Sequence, residues 1–221
     1  MASGYDQGYY ATYYPNWGES AASIRYLAAC LEARQLRGRS AKRVLDFGAG
    51  LGTVLASIDA TERVAVDVSD QSHHACRERG FHWYPALDAV PGRFDLILAI
   101  HSLEHTPDPA AILRALKARL APNGQFVCVV PVETNLSPGP LSEITGHQHL
   151  FAWTPETLKN LLLTTGWCLT SVDLVNGRLF HRTTGLLAIH PPLYRLTRAL
   201  INATLPGKPM EIVAWCNSAA D

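Results

Sequence analysis

Two groups of residues in this chain have the types and spacing to do chemistry. The first is the run Val44-Leu45-Asp46-Phe47-Gly48-Ala49-Gly50-Leu51-Gly52-Thr53, an apolar strand that ends in an acid and opens into a glycine-rich turn. Glycines at alternate positions let the backbone approach a ligand closely and expose amide groups at a helix start, which suits a nucleotide-like ligand. Nineteen residues after Gly48, the run Val64-Ala65-Val66-Asp67-Val68 brings a second apolar strand to an acid, where a carboxylate can accept both hydroxyls of a ribose. The plain alternatives are a tight strand-to-helix connection for the glycines and a helix cap for Asp67.

The second group is His101-x-x-Glu104-His105, with His147 and His149 some forty residues later. Imidazole titrates near neutral pH, so His101, His105 and His149 are candidate proton acceptors. The alternative for Glu104-His105, ahead of Thr106-Pro107, is a loop held by its own hydrogen bonds.

The elements that must position these residues follow an alternating pattern. From residue 42 onward, short β-branched apolar runs alternate with helical periodicity, as in a parallel sheet covered by helices. Seven strands are expected: Arg43 to Phe47, Arg63 to Val68, Phe81 to Tyr84, Phe94 to Ile100, Gln125 to Val130, Cys168 to Leu174 and Ile212 to Cys216. Between them, Asp108 to Leu120 places Ile112, Leu113, Leu116 and Leu120 on one helical face, with Asn123-Gly124 as its stop signal. Thr154-Pro155-Glu156 reads as a capped helix start, and Gly166 as that helix's end.

Two segments lie outside the alternation. Gly4 to Trp17 carries six aromatic residues, and Gly185 to Pro209 is an apolar, proline-punctuated helical stretch between the last two strands. The latter reads as a packing helix, a substrate lid, a dimer surface or a shallow membrane-contact helix, to which Arg195, Arg198 and Lys208 are suited.

Composition narrows the partners. The 221 residues are 48% hydrophobic and suffice for one core, and 19 cationic side chains balance 19 acidic ones. No global field draws in nucleic acid, so a small-molecule acceptor fits better. The five cysteines are scattered and form no C-x-x-C pair, which suggests reduced thiols in a cytoplasm. Met1 to Trp17 has neither the basic region nor the apolar run of a secretion signal, and no stretch approaches the length of a membrane span. A monomer or homodimer without a membrane span is expected.

The glycine pattern departs from the dinucleotide fingerprint G-x-G-x-x-G, because Gly52 is followed by Thr53. Instead, Asp46-x-Gly48-x-Gly50-x-Gly52 resembles the S-adenosylmethionine (SAM) motif of class I methyltransferases. Phe94-Asp95-Leu96-Ile97, Leu103-Glu104-His105-Thr106-Pro107-Asp108-Pro109, Leu120-Ala121-Pro122-Asn123-Gly124-Gln125 and the late run from His149 to Trp167 are similar to the type 11 and type 23 methyltransferases. The resemblance covers most of the chain. It implies a Rossmann-like α/β three-layer sandwich with a seven-stranded, mostly parallel sheet and an antiparallel last strand.

It also implies site roles. Asp46, Gly48, Ala49 and Gly50 would line the methionine portion, and Asp67 would hold the ribose. Val68, Ile100 and His101 would line the rest of the crevice. Members often carry an acid just after the third strand. This chain has Pro85-Ala86 there and Asp88 slightly later, so adenine contacts would come from backbone at Ala86 and Leu87. An N-terminal lid would bring Tyr10 and Tyr14 over the sulfonium and acceptor, with His147 and His149 as further acceptor contacts.

The pattern around Glu104-His105 resembles the metal site of small-RNA 2′-O-methyltransferases and some ubiquinone-pathway O-methyltransferases, with His101 in place of their first acid. It implies a divalent metal held by His101, Glu104, His105 and His149, softer than magnesium. The expected organisation is one methyltransferase domain over residues 1–221, with an aromatic lid at 1–40, a core at 42–175 and 210–217, and an inserted segment at 185–209. The expected reaction is SAM-dependent methylation of a small molecule, favouring oxygen on a natural product, quinone-like or sugar acceptor. The rivals are a SAM-binding regulatory protein and an NAD-dependent oxidoreductase. Against the second stand the glycine spacing and the missing Tyr-x-x-x-Lys pair.

Overall fold

A computed structural model describes residues 19–133, 148–205 and 207–218. Tyr10, Tyr14 and His147, and with them residues 1–18 of the expected aromatic lid, lie outside the described residues.

Ser20 caps helix α1 (Ala21–Ala33) through its side-chain oxygen, which accepts from the Ser23 amide. The seven expected strands are all present: β1 (Ser40–Phe47), β2 (Asp59–Val66), β3 (His82–Tyr84), β4 (Phe94–Ile100), β5 (Leu120–Pro131), β6 (Trp167–Asn176) and β7 (Pro209–Ser218). They form one sheet in the order β3-β2-β1-β4-β5-β7-β6, parallel except for β7, which runs antiparallel to both neighbours. This is the Rossmann-like α/β sandwich expected of the sequence.

Alternation along the strands divides the apolar side chains between two layers. Leu45, Ile97, Phe126 and Cys128 pack with Leu113 and Leu116 of α4 (Pro109–Ala118) and Leu158 and Leu162 of α5 (Pro155–Thr164). Val44, Leu96, Leu98 and Val127 pack on the other face with Leu27 and Leu31 of α1. Beside them lie Leu55 of α2 (Thr53–Ala56), Cys76 of α3 (Asp70–Glu78), Phe180 and Leu187 of α6 (Phe180–Ile189), and Tyr194 of α7 (Pro191–Thr204). Full burial of side chains such as Leu98 or Ile97 contributes about 1.5–3 kcal/mol each.

Local structure differs from expectation in two places. The Asp108-capped helix ends at Ala118, and the chain enters β5 at Leu120. Asn123, with φ +62°, turns inside that strand, where pairing with β4 jumps from Phe94–Leu120 to Leu96–Gln125. Asn123-Gly124 therefore marks an irregularity in a strand and not a helix stop. The segment at 185–209 belongs to a pair of helices that begins earlier, at Phe180. His190, at φ −149°, separates them because a residue ahead of proline is pushed out of the α region. Among the described residues, no helix is long and apolar enough to cross a membrane.

Candidate cofactor and acceptor site

The strand order reverses between β1 and β4, which leaves a crevice beyond their C-terminal ends. The glycine turn lies there. Gly48, Gly50 and Gly52 have φ of +76°, +52° and +70°, all in the left-handed region that side chains resist. The Gly48 amide donates to the Val66 carbonyl at 2.8 Å, tying the turn to β2. A Cβ on Gly48 would stand 2.4 Å from Ser102 Cβ, so the turn packs directly against the loop after β4.

Asp67 is fixed by backbone. One carboxylate oxygen accepts from the Gly50 amide at 2.8 Å and the other from the Ser69 amide at 2.9 Å. Each oxygen retains a second lone pair for a ligand hydroxyl. Asp46, at the end of β1, is 2% exposed, and its Oδ1 has no hydrogen-bond partner. Burial, reinforced by the charge of Asp67 and opposed by Arg34, pushes its carboxyl up to about 7. The Ser102 hydroxyl is likewise buried without a partner. An unpaired buried acid beside a closed glycine turn fits a ligand carrying positive charge, as SAM does at its sulfonium and ammonium.

The other expected cofactor residues surround the crevice. Val68 is largely exposed just past β2, and Ala86 is exposed ahead of a 3-10 turn at Leu87–Ala89, in which Leu87 is buried. Ile100 ends β4 half-buried.

His101 follows directly, with φ +51° and its amide bonded to the Val129 carbonyl. Its Nε2 lies 2.8 Å from Glu211 Oε1, and its Nδ1 lies 3.5 Å from Glu104 Oε1. Arg34, at the end of α1, donates to both oxygens of Glu211, at 3.0 and 2.5 Å, and both side chains are buried. Burial works against a charged His101 ring, but its two carboxylate partners outweigh it and push the ring up to about 9. Burial likewise opposes ionisation of Glu211, yet Arg34 and His101 hold it well below the usual carboxylate range.

The 3-10 turn Leu103–His105 carries the remaining groups. Glu104 is fully buried, and neither carboxylate oxygen has a hydrogen bond. Its backbone carbonyl accepts from the Leu150 amide at 2.7 Å, which pins the His149 segment against this turn. The rings of His105 and His149 stand edge to face with centroids 4.9 Å apart. Burial lowers the His105 ring below its ordinary value, with Glu104 opposing. His149 Nδ1 lies 2.5 Å from Glu133 Oε1. One ligand atom from each of Glu104, His105 and His149 falls within 4.8 Å of the others. The structure thus assembles three of the four residues implied as metal ligands, while His101 directs Nε2 to Glu211.

Arg34, Glu133 and Glu211 were not among the sequence candidates. An acid opening the apolar run Ile212 to Cys216 and an arginine ending an apolar helix were the available signals, but 177 positions separate them. A cavity of about 500 Å³ adjoins this end of the sheet, lined by Val132, Gly177, Arg178, Lys208, Pro209 and Met210.

A doubly wound sheet with a glycine turn after β1 and an acid after β2 defines a nucleoside-binding α/β domain of the methyltransferase type. The profile of the type 23 methyltransferase domain family matches residues 20–172, and the chain belongs to this family within the class I SAM-dependent group.

The chain is similar to the ubiquinone biosynthesis O-methyltransferase of Bordetella pertussis, 33% identical over 98 residues, 38% of this chain and 41% of the relative. The chloroplastic tocopherol O-methyltransferase of Arabidopsis thaliana is 30% identical over 172 residues, 70% of this chain and 46% of the relative. The chain thus spans less than half the length of these two curated relatives. In fold it is similar to a SAM-dependent methyltransferase from Archaeoglobus fulgidus, with a TM-score of 0.60 at 19% identity, covering 94% of this chain and 99% of that one.

Proposed function

We propose that this protein is an enzyme that transfers the methyl group of SAM to an oxygen of a small acceptor, with a catechol or hydroquinone as the favoured class. The observation that carries the reading is the Glu104, His105 and His149 cluster at the C-terminal end of β4, beyond the same sheet edge as the Asp46–Gly52 turn. The residues around one sheet form a single catalytic unit in this reading.

When bound, SAM supplies an electrophilic methyl on a sulfonium. Asp46, Gly48, Ala49 and Gly50 hold the methionine end, and Asp67 accepts from the ribose. Backbone at Ala86 and Leu87, with Val68 and Ile100, encloses the adenosine. The protein's task is then to align an acceptor oxygen and keep water out. His149 is the general base in this reading, its ring oriented by Glu133 at Nδ1 and set beside His105. His105 stands against it as a second acceptor or acceptor-shaping group. His101 has a carboxylate at each nitrogen and serves to hold Glu104 and Glu211 in place.

The fully buried carboxylate of Glu104, with no hydrogen bond at either oxygen, favours a second reading of the same cluster, in which Glu104, His105 and His149 hold a divalent metal that polarises the acceptor oxygen. Two imidazoles and one carboxylate suit a transition metal better than magnesium. The support for a quinol-like acceptor is the O-methyltransferase relatives. The test is incubation of the protein with SAM and a panel of catechols, hydroquinones and sugars, before and after chelation. Gain of one methyl group on a phenolic oxygen supports the proposal, and SAM binding with no product from any acceptor would favour the regulatory reading.

A further inference from the structure

The α6–α7 hairpin has a surface that the fold does not use. Tyr194, Arg198 and Ile201 form the buried side of α7. On the opposite side Leu193, Leu196 and Leu200 recur at helical spacing and are 45%, 57% and 55% exposed, with Ala199 and Ala203 exposed between and beyond them. Ile189, at the end of α6, is 83% exposed. A helix apolar on both sides has one face more than its own core requires.

The charge around this stripe is segregated. Residues 174–210 contain no Asp or Glu, yet hold Arg178, Arg182, Arg195, Arg198 and Lys208, in a chain whose net charge is zero. Arg198 is buried and donates to the backbone carbonyls of Asn176 and Arg178, and Arg195 pairs with Glu32 of α1. Arg178, Arg182 and Lys208 are exposed.

We infer that this hairpin docks the protein onto an anionic lipid bilayer, with the Leu193, Leu196 and Leu200 stripe entering the headgroup boundary. An exposed leucine stripe in a basic, acid-free segment is the pattern of an interfacial helix, and anionic headgroups complement its charge. A twofold contact between two copies would bring like segments together with no acid from either to balance the cations. The cavity lined by Val132 and Met210 is bracketed by the hairpin's two ends, Gly177-Arg178 before α6 and Lys208 after α7. The docking itself does not depend on the methyl-transfer reading.

The test is flotation of the full chain with vesicles of phosphatidylcholine alone and with phosphatidylcholine and phosphatidylglycerol at about 2:1. The protein should float with the anionic vesicles only, and release as salt rises. The double variant Leu196→Glu and Leu200→Glu should bind at least about tenfold more weakly, with unchanged melting temperature and SAM affinity. Leu163→Glu, at a half-exposed site on α5, should float like the parent protein. Failure of the parent protein to float, equal flotation of the double variant, or equal loss in Leu163→Glu would overturn the inference. So would a concentration-dependent dimer in sedimentation velocity that the double variant abolishes without any vesicle binding.

Discussion

Replacing Asp46 by Asn should make the ligand-free protein more stable at neutral and mildly alkaline pH. The carboxyl is held at about 7 in the folded chain, against 3.8 in the unfolded one, because it is buried without a partner at Oδ1 and beside Asp67. Below the unfolded value both states carry the proton and the acid costs nothing. Between about pH 4 and 7 the unfolded chain ionises first, so stability falls as pH rises, and the loss levels off once the folded carboxyl ionises too. A separation of this size corresponds to roughly 4 kcal/mol at its plateau. Urea titrations of parent and Asp46→Asn proteins at pH 4, 5, 6, 7 and 8 measure it. The variant's advantage should be small at the acid end and grow to several kcal/mol by pH 8. A difference that is flat with pH, or a variant less stable than the parent at pH 8, would refute the reasoning. SAM should reverse the order, since its positive charge pairs with Asp46 in the parent and has no such partner in the variant.

Gly48→Ala should lose SAM binding in calorimetry and cost about 1–3 kcal/mol of stability, because φ is +76° and the added carbon meets Ser102. Unchanged affinity would remove Gly48 from the site. Glu211→Gln should cost about 3–5 kcal/mol at pH 7 by leaving Arg34 buried against a neutral amide. Since the folded carboxyl lies below its ordinary value of 4.5, that advantage is complete above 4.5 and should shrink as pH falls, which denaturant titrations at pH 7 and 4 will read. If the cluster holds zinc or manganese, Glu133→Gln should weaken the metal about 10–100-fold by loosening His149, and metal titration of dialysed protein would show no uptake if the reading is wrong.

The sheet was legible because each strand is an apolar run with its own punctuation, and the turn after β1 because three glycines and an acid leave few other conformations. The β5 entry was not, since Asn123-Gly124 is equally good as a helix stop and as a turn within a strand; packing of Gly124 against Ala121 and Phe94 backbone decided it. The Glu104-His105 pair and the later His149 were all legible as candidates, and the fold brings His149 to the pair through the Leu150 amide. His101 looked like its equal. Its surroundings depend on Arg34 and Glu211, whose pairing is a consequence of tertiary structure and leaves no periodic trace in the chain.

Calorimetric titration with SAM, its demethylated product and NAD, comparing the parent protein with Asp67→Ala, decides whether the crevice beyond β1 and β4 is a SAM site. Both sulfur ligands should bind, the substitution should abolish this binding, and NAD should give no signal. Silence from both sulfur ligands, or a preference for NAD, would contradict a SAM site there.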